Sequence, residues 1–410
     1  MKKTLIAMLL AGALGTAMAA DSVKLALTGP FSGGSAPMGV SMRDGAKLAI
    51  GEINAAGGID VGGKKMKIEV IERDDEAKNE RGALIAQELA AMPDLSGVIG
   101  TANTGVVIAG DKFLQEKGIT KIISPAAGSA SMSQWRDAKV PQLSIFRFAA
   151  RDDLQAAMVV EEAINRKFTK VAILHDATNY GVSGRNDLEA QVKAQGNKFE
   201  VVAIDKFNIG DKDMTAQLLH AKSAGAQAIL IWGIGPELAA VANGKAKVGM
   251  KEPLIGGWTL SMLNYIENSG KNAEGTLMPQ TFIEEPITPK AEAFIKNYHR
   301  TYEVKRISSP VSAAQGYDAV LIFAAAVKQA GSADTHKIKE ALEDLKEPVS
   351  GVIATWHKPF SKWNPDDEST HEAFSRALTV MGVVKDGHVT FAHAEDKARL
   401  AAAAGHKGGK

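Results

Sequence analysis

The sequence predicts an α/β protein built as two doubly wound parallel-sheet lobes. Three observations point there. Short β-branched or apolar runs alternate with longer helical stretches from end to end. Runs such as Val171-Ala-Ile-Leu174 and Ile229-Leu-Ile231 are apolar at every position, as strands covered by helices on both faces should be. The chain has 410 residues, and the about 390 that follow its leader exceed what a single core usually fills.

Taken in order, the leader comes first. Lys2 and Lys3 precede an apolar run over 5–14, then Gly15, Thr16 and Ala17-Met18-Ala19. This positive, apolar, A-x-A layout is that of a secretory signal peptide over 1–19, cut after Ala19, and the run is too short to anchor in a bilayer. No later stretch approaches ~18 uninterrupted apolar residues, so the mature chain is expected to be soluble. Candidate strands follow at 23–28, 66–72, 97–100, 119–124, 170–174, 201–204 and 228–232. Between them lie helices, the first at about 40–55. Ala314, Tyr317, Leu321 and Ala324 recur at steps of three and four, the mark of a buried helical stripe. Thr288-Pro289 reads as an N-cap with proline at the first helical position. The strand–helix alternation implies right-handed crossovers. Residues 396–410, ending in a small and polar stretch, read as a flexible tail.

Composition removes several classes of function. There is no cysteine, which excludes disulfides, thiolate metal sites and cysteine nucleophiles. The 48 Lys+Arg nearly balance 47 Asp+Glu, and no nucleic-acid binding is expected from such a charge balance. The nine histidines show no close ligand spacing, so no metal is expected. Neither G-x-x-x-x-G-K-[ST] nor G-x-G-x-x-G follows the first strand, and no G-x-S-x-G elbow occurs. The expectation is therefore no enzyme and no cofactor. Asp74-Asp75-Glu76 reads as a solvated turn and helix start rather than a metal patch, and Asp318 as structural.

In doubly wound sheets, ligands bind beyond the carboxyl ends of the strands where strand order reverses. The turns to search are those after each strand. The first runs from Thr28 through Gly33-Gly34 to Met38-Gly39 and is rich in small residues and hydroxyls. It fits either a ligand-facing loop or a plain glycine-rich surface turn. The second is Thr101-Ala-Asn103-Thr104-Gly105, with a helix starting near Thr104. The third is Pro125-Ala126-Ala127-Gly128-Ser129. Hydroxyls beside the N–H groups of a helix start can hold a carboxylate without a cationic side chain.

Several short segments share an order and spacing along nearly the whole mature chain. They are Gly29-Pro30, Ser32-Gly33, Gly45-Ala46, Ala49-Ile50, Ile53-Asn54, Gly57-Gly58-Ile59, Asp74-Asp75, Val98-Ile99-Gly100, Ile123-Ser124-Pro125-Ala126-Ala127, His175-Asp176, Tyr180-Gly181, Gly233, Pro236-Glu237 and Gln315-Gly316-Tyr317-Asp318-Ala319. On these the chain resembles the type I periplasmic binding proteins of the leucine/isoleucine/valine-binding class. The resemblance implies two lobes joined by three hinge crossings, near 146–151, 278–282 and 354–358. Lobe one would be 21–147 plus 282–354, and lobe two 148–281 plus 355–395. Hinge closure on a ligand in the cleft would be the working motion.

The resemblance also carries a pocket: Thr104, the turn Ala126-Ala127-Gly128 with Ser129 beside it, and Tyr180; the turns after the strands add Met38 and Asn103, and Trp258 stands where the family's lobe-two acid would fall. Two departures stand out. Gly128 replaces the family's threonine, leaving Ser129 to supply a hydroxyl. The acid that holds an amino-acid ammonium falls at Gly256-Gly257-Trp258-Thr259, where no acid occurs. A shift of register by several residues would put Glu237 or Asp205 in that place. The expected cargo is thus a small carboxylate, amino acid or hydrophobic/aromatic acid, with Trp258 offering stacking. The implied setting is the periplasm, and the implied partners are that small-molecule ligand and, transiently, ABC permease subunits of the inner membrane. The expected state is a monomer. A sensor of the same fold, signalling to a receptor or kinase, is the alternative.

Overall fold

The computed structural model describes residues 22–196 and 199–405, so the leader over 1–19 and the chain end beyond 405 lie outside the described residues. The chain opens with β1 (Ser22–Gly29), α1 (Ala36–Ala55), β2 (Ile59–Val61), β3 (Lys64–Asp74), α2 (Asn79–Ala90), β4 (Leu95–Gly100), α3 (Thr104–Glu116), β5 (Lys121–Ile123), α4 (Ala130–Asp137) and β6 (Ile145–Arg147). These strands make one sheet in the order β2-β3-β1-β4-β5-β6. All its pairings are parallel except the β2–β3 hairpin at its edge.

The chain then builds α5 (Asp152–Asn165), β7 (Lys170–Asp176), α6 (Asn179–Ala194), β8 (Glu200–Phe207), α7 (Thr215–Ser223), β9 (Ala228–Trp232), α8 (Glu237–Lys247), β10 (Leu254–Gly256), a short 3-10 turn (Trp258–Ser261), α9 (Leu263–Ser269) and β11 (Leu277–Gln280). It returns to the first lobe for α10 (Pro289–Tyr302), α11 (Pro310–Ala330), α12 (Thr335–Glu343), β12 (Val349–Ser350) and β13 (Thr355–Trp356). It ends with β14 (Val380–Lys385), β15 (His388–Phe391) and α13 (Ala394–Gly405). The second sheet is ordered β15-β14-β11-β10-β9-β7-β8, with β14 and β15 antiparallel.

The apolar strands sit where their pattern requires. Val171–Leu174 and Ile229–Ile231 are buried on both faces, between helices. The first sheet is covered by α1 and α11, and Gly45 and Gly316 let these helices touch, since a Cβ at either would fall on the other's backbone. In α11, Ala314 and Tyr317 are buried while Leu321 and Ala324 are half-buried at its margin. Thr288 caps α10 by accepting the Ala291 N–H at 3.1 Å. Asp318 is fully buried and accepts from Val352 N, Ile353 N and Trp356 Nε1 at 2.7, 3.0 and 2.9 Å. It ties α11 to the loop before β13.

Two expectations are corrected. The stretch 355–375 belongs with the first sheet, not the second. Trp356, Phe360 and Phe374 pack on Phe148 and Phe146 of that lobe. Arg147 N donates to His371 O at 2.8 Å and Ala373 N to Arg147 O at 3.1 Å. These aromatic and backbone contacts hold the chain on lobe one until β14 pairs with β11, so the third crossing lies near 375–380 rather than 354–358. The expected flexible tail over 396–410 is helical as far as Gly405, because Leu400 is buried against Ile283 and Val380.

Candidate functional site

In the first sheet β1 lies between β3 and β4, so strand order reverses there. The turns after β1 and β4 therefore flank one crevice. In the second sheet the reversal falls between β7 and β9, and the turns after those strands face the first pair. Each turn is braced. Asp74 accepts from Phe31 N at 2.8 Å and Ser32 Oγ at 2.7 Å, which fixes the loop leading to Met38. Asp74 thus braces the loop, whereas Asp75, expected in a solvated turn, is 1% exposed and accepts from Ala77 N at 2.9 Å; among the described residues no metal-type cluster forms. Asp176 accepts from Thr178 N and Ile234 N, both at 2.9 Å, and so joins the two lobe-two turns.

The cleft is closed, with its walls in contact. Met38, Ala102, Ala127 and Val311 of lobe one share a core with Tyr180, Trp232, Ile234 and Trp258 of lobe two. Trp258 is held rigidly. Its backbone N–H donates to Gln155 Oε1 at 3.1 Å, and its backbone carbonyl accepts from Gln280 Nε2 at 3.2 Å. Thr259 Oγ1 donates to Gly233 O at 2.7 Å, which pins the same turn to the end of β9. Trp258 then lies beside Pro125, Ala127, Ala149 and Gln315.

The lobe-one side is polar at one point. Thr104, the first residue of α3, is 1% exposed, and its Oγ1 has no protein partner. Asn103 makes no side-chain cap on α3; its Nδ2 donates to Ser35 Oγ at 3.4 Å and its Oδ1 is unpaired. Two further buried atoms of the cleft, Tyr180 OH and Gln315 Oε1, also lack partners. Such groups cost free energy unless something in the cleft satisfies them. Burial pushes the Tyr180 hydroxyl well above its ordinary range, so it stays a neutral donor.

The turn after β5 departs from expectation. Ala126 and Ala127 are buried beside the cleft, and the carbonyls of Ala127 and Gly128 accept from Arg147 Nη1 at 3.0 and 2.9 Å. Gly128 is required here: a Cβ would collide with the Thr104 side chain, so Thr104 fills the space a threonine at 128 would need. Ser129 does not turn its hydroxyl toward Thr104. It donates to Asp187 Oδ2 of α6 at 2.8 Å, a bond from one lobe to the other.

Sequence reasoning missed Asp152, Gln155, Trp232 and Asp187. Asp152 is fully buried at the start of α5. It accepts from Trp232 Nε1 at 3.1 Å and Gln155 Nε2 at 3.3 Å. Burial, reinforced by the nearby Asp187 charge, pushes its carboxyl well up. Burial likewise raises Asp187 to about 6, against the Ser129 hydrogen bond. Neither alternative acid serves the cleft. Glu237 accepts from Gly210 N at 2.7 Å and Asp205 pairs with His220 at 2.8 Å, both away from it.

Two doubly wound lobes closed on an apolar cleft edged by hydroxyls define a solute-binding protein. Comparison with known sequences agrees, and the chain belongs to the periplasmic binding protein family, whose model matches residues 22–387. It is a type I member of the leucine/isoleucine/valine-binding class. It is 28% identical over 356 residues to the Leu/Ile/Val-binding protein homolog 3 of Brucella melitensis, covering 86% of this chain and 92% of that one. Among solved structures, a type 1 periplasmic binding protein from Bordetella pertussis superposes with a TM-score of 0.77 at 25% identity, over 90% of this chain and 99% of that one. An ABC-transporter solute-binding protein of R. palustris, solved with benzoate, gives 0.75 at 20% identity, over 90% and 95%. The family works with ABC permeases, is periplasmic and is not enzymatic. The general role of this chain is accordingly that of a substrate-binding component in ABC transport.

Proposed function

We propose that the protein captures a small carboxylate with a hydrophobic or aromatic body in the periplasm and presents it to an ABC permease. The observation that carries this reading is Thr104. Its buried, unpaired hydroxyl sits at the start of α3, which no side chain caps, and amide groups at such a start favour an anion. Opposite it, Trp258, Trp232, Tyr180 and Ile234 offer apolar surface and no free acid. A carboxylate would lie on the α3 end and an apolar body against Trp258. Hinge closure then buries both. The uptake role is supported by the family's partnership with permeases, and the chain acts as a monomer that docks on them transiently. Calorimetric titration with benzoate and with leucine tests the cargo. Micromolar benzoate binding with none for leucine is expected; the reverse order removes the proposal.

A second reading has one specific support. Asp187 and Asp152 stand at the lobe-two side of the closed cleft, and an α-amino acid could place its ammonium there. Leucine binding that is lost in Asp187→Asn would select it.

A further inference from the structure

A second cavity adjoins this cleft along the crossing that follows β11, with Ser261 and Gln280, which both donate to the Trp258 carbonyl, in its wall. Its volume is ≈ 380 Å³, within the usual span of small-molecule sites. Both lobes build it. Leu263 and Ile266 come from α9, Val389 from β15, Ile295 from α10 and Ile307 from the loop before α11, with Phe282 of the crossing between them. Leu263 N donates to Ser308 O at 2.9 Å and closes the seam where the lobes meet.

The apolar floor is bordered by charge, and the balance of that charge is uneven. Two acids lie at the rim, and both are already engaged. Glu284 accepts from His299 Nε2 at 2.5 Å and from Ile307 N at 3.1 Å. Glu285 pairs with Lys397 at 2.5 Å and accepts from Thr390 Oγ1 at 2.9 Å. The cations are not so engaged. Arg306 donates to the Gly387 carbonyl at 2.9 Å and meets no carboxylate within ion-pair distance. Lys305 and His388 also line the cavity and are exposed at its mouth. An apolar chamber whose two acids already have partners, while Lys305 and Arg306 at its entrance have no ion pair among the described residues, suits a molecule with an apolar body and one anionic head.

We propose that this cavity is a second binding site, for a medium-chain monocarboxylate, with the chain on Leu263, Ile266 and Ile295 and the head at Arg306 and Lys305. Because both lobes form its walls, an occupant holds them in the closed setting. The inference is independent of which solute the main cleft takes.

Octanoate is the probe, titrated into the full chain by calorimetry, with octanol as the uncharged control. Saturable one-to-one binding of octanoate is expected, at least tenfold tighter than octanol. The double variant Lys305→Gln/Arg306→Gln should weaken it tenfold or more. Val389→Trp, which fills the chamber without touching the charges, should abolish it, and thermal melts of both variants establish that they fold. Small-angle scattering should show a smaller radius of gyration with octanoate than without. Non-saturable binding overturns the proposal. So does binding that survives both variants, or binding lost only in Trp258→Ala, which would place octanoate in the main cleft. An unchanged radius overturns the claim that the occupant holds the lobes closed.

Discussion

The guanidinium of Arg147 grips the carboxylate of Glu372 with two nitrogens, each at 2.7 Å, where both side chains are out of contact with solvent. The same Arg147 holds the carbonyls of the turn at Ala127 and Gly128. One side chain thus ties the first crossing, the 371–375 segment and the edge of the cleft. Arg147→Met would leave the buried Glu372 without its two-pronged partner, with only Arg136 at 3.7 Å to offset its charge. A loss of about 3–5 kcal/mol is expected, read from guanidinium unfolding curves. The double variant Arg147→Met/Glu372→Met should recover a large part of it.

Asp318 satisfies three donors at once. Asp318→Ala orphans Val352 N, Ile353 N and Trp356 Nε1 inside the core. With about 1–3 kcal/mol per unsatisfied buried group, a loss of at least about 3 kcal/mol is expected. Cleft affinity, measured on the folded fraction, should not change.

Trp258 is expected to dominate affinity for an aromatic acid. Its turn is pinned by Gln155 and Gln280, so little ordering cost falls on binding. Trp258→Ala should weaken benzoate binding by about 30-fold or more, equivalent to about 2 kcal/mol for a buried aromatic contact. Thr104→Val, which keeps shape and removes the hydroxyl, should cost about tenfold.

Gly128 and Thr104 compete for one volume. Gly128→Thr alone should destabilise by about 1–3 kcal/mol, as overpacking does. Thr104→Ala/Gly128→Thr should restore stability and move the hydroxyl to the position that the resembled family uses.

Closure should depend on pH through Asp187. Burial in the closed cleft raises its carboxyl from 3.8 to about 6, so the closed form favours protonated Asp187. Its contribution is full below the unperturbed value and is lost as pH rises through about 6. If opening returns Asp187 to water, benzoate affinity should fall roughly fourfold between pH 5.5 and 7.5. Asp187→Asn should flatten that slope, and titrations at several pH values check it.

Much of the fold was legible because its signals are local. Buried strands such as Val171–Leu174 read as unbroken apolar runs, and Thr288-Pro289 marks a helix start within two residues. The candidate site was open to sequence reading where it follows strands: Met38, Thr104 and Tyr180 lie in the first turns of the helices after β1, β4 and β7, and Trp258 in the 3-10 turn after β10, at strand ends that sheet topology brings together. What stayed hidden depends on long-range partners. Asp152 meets Trp232 across eighty positions, and the Ser129 hydroxyl turns to Asp187 across fifty-eight. No local pattern announces either. The third crossing was misplaced for the same reason: tilted and edge-on packing of Phe360 and Phe374 against Phe146 and Phe148 decides it, and the two-residue strands β12 and β13 carry no period to read.

The path of the chain between the lobes has a consequence for assembly. The first sheet is laid down by residue 147, yet its covering helix α11 ends only at 330. The second sheet waits for β14 and β15, whose last residue is 391. A chain emerging from its N-terminus cannot complete either lobe until nearly all of it is available. Its contacts span long sequence separations, so folding to the native pairings is slow and completes late. Such a chain stays threadable for most of its synthesis, and removing the final strands should cost the second lobe its edge and the first its hold on that lobe together.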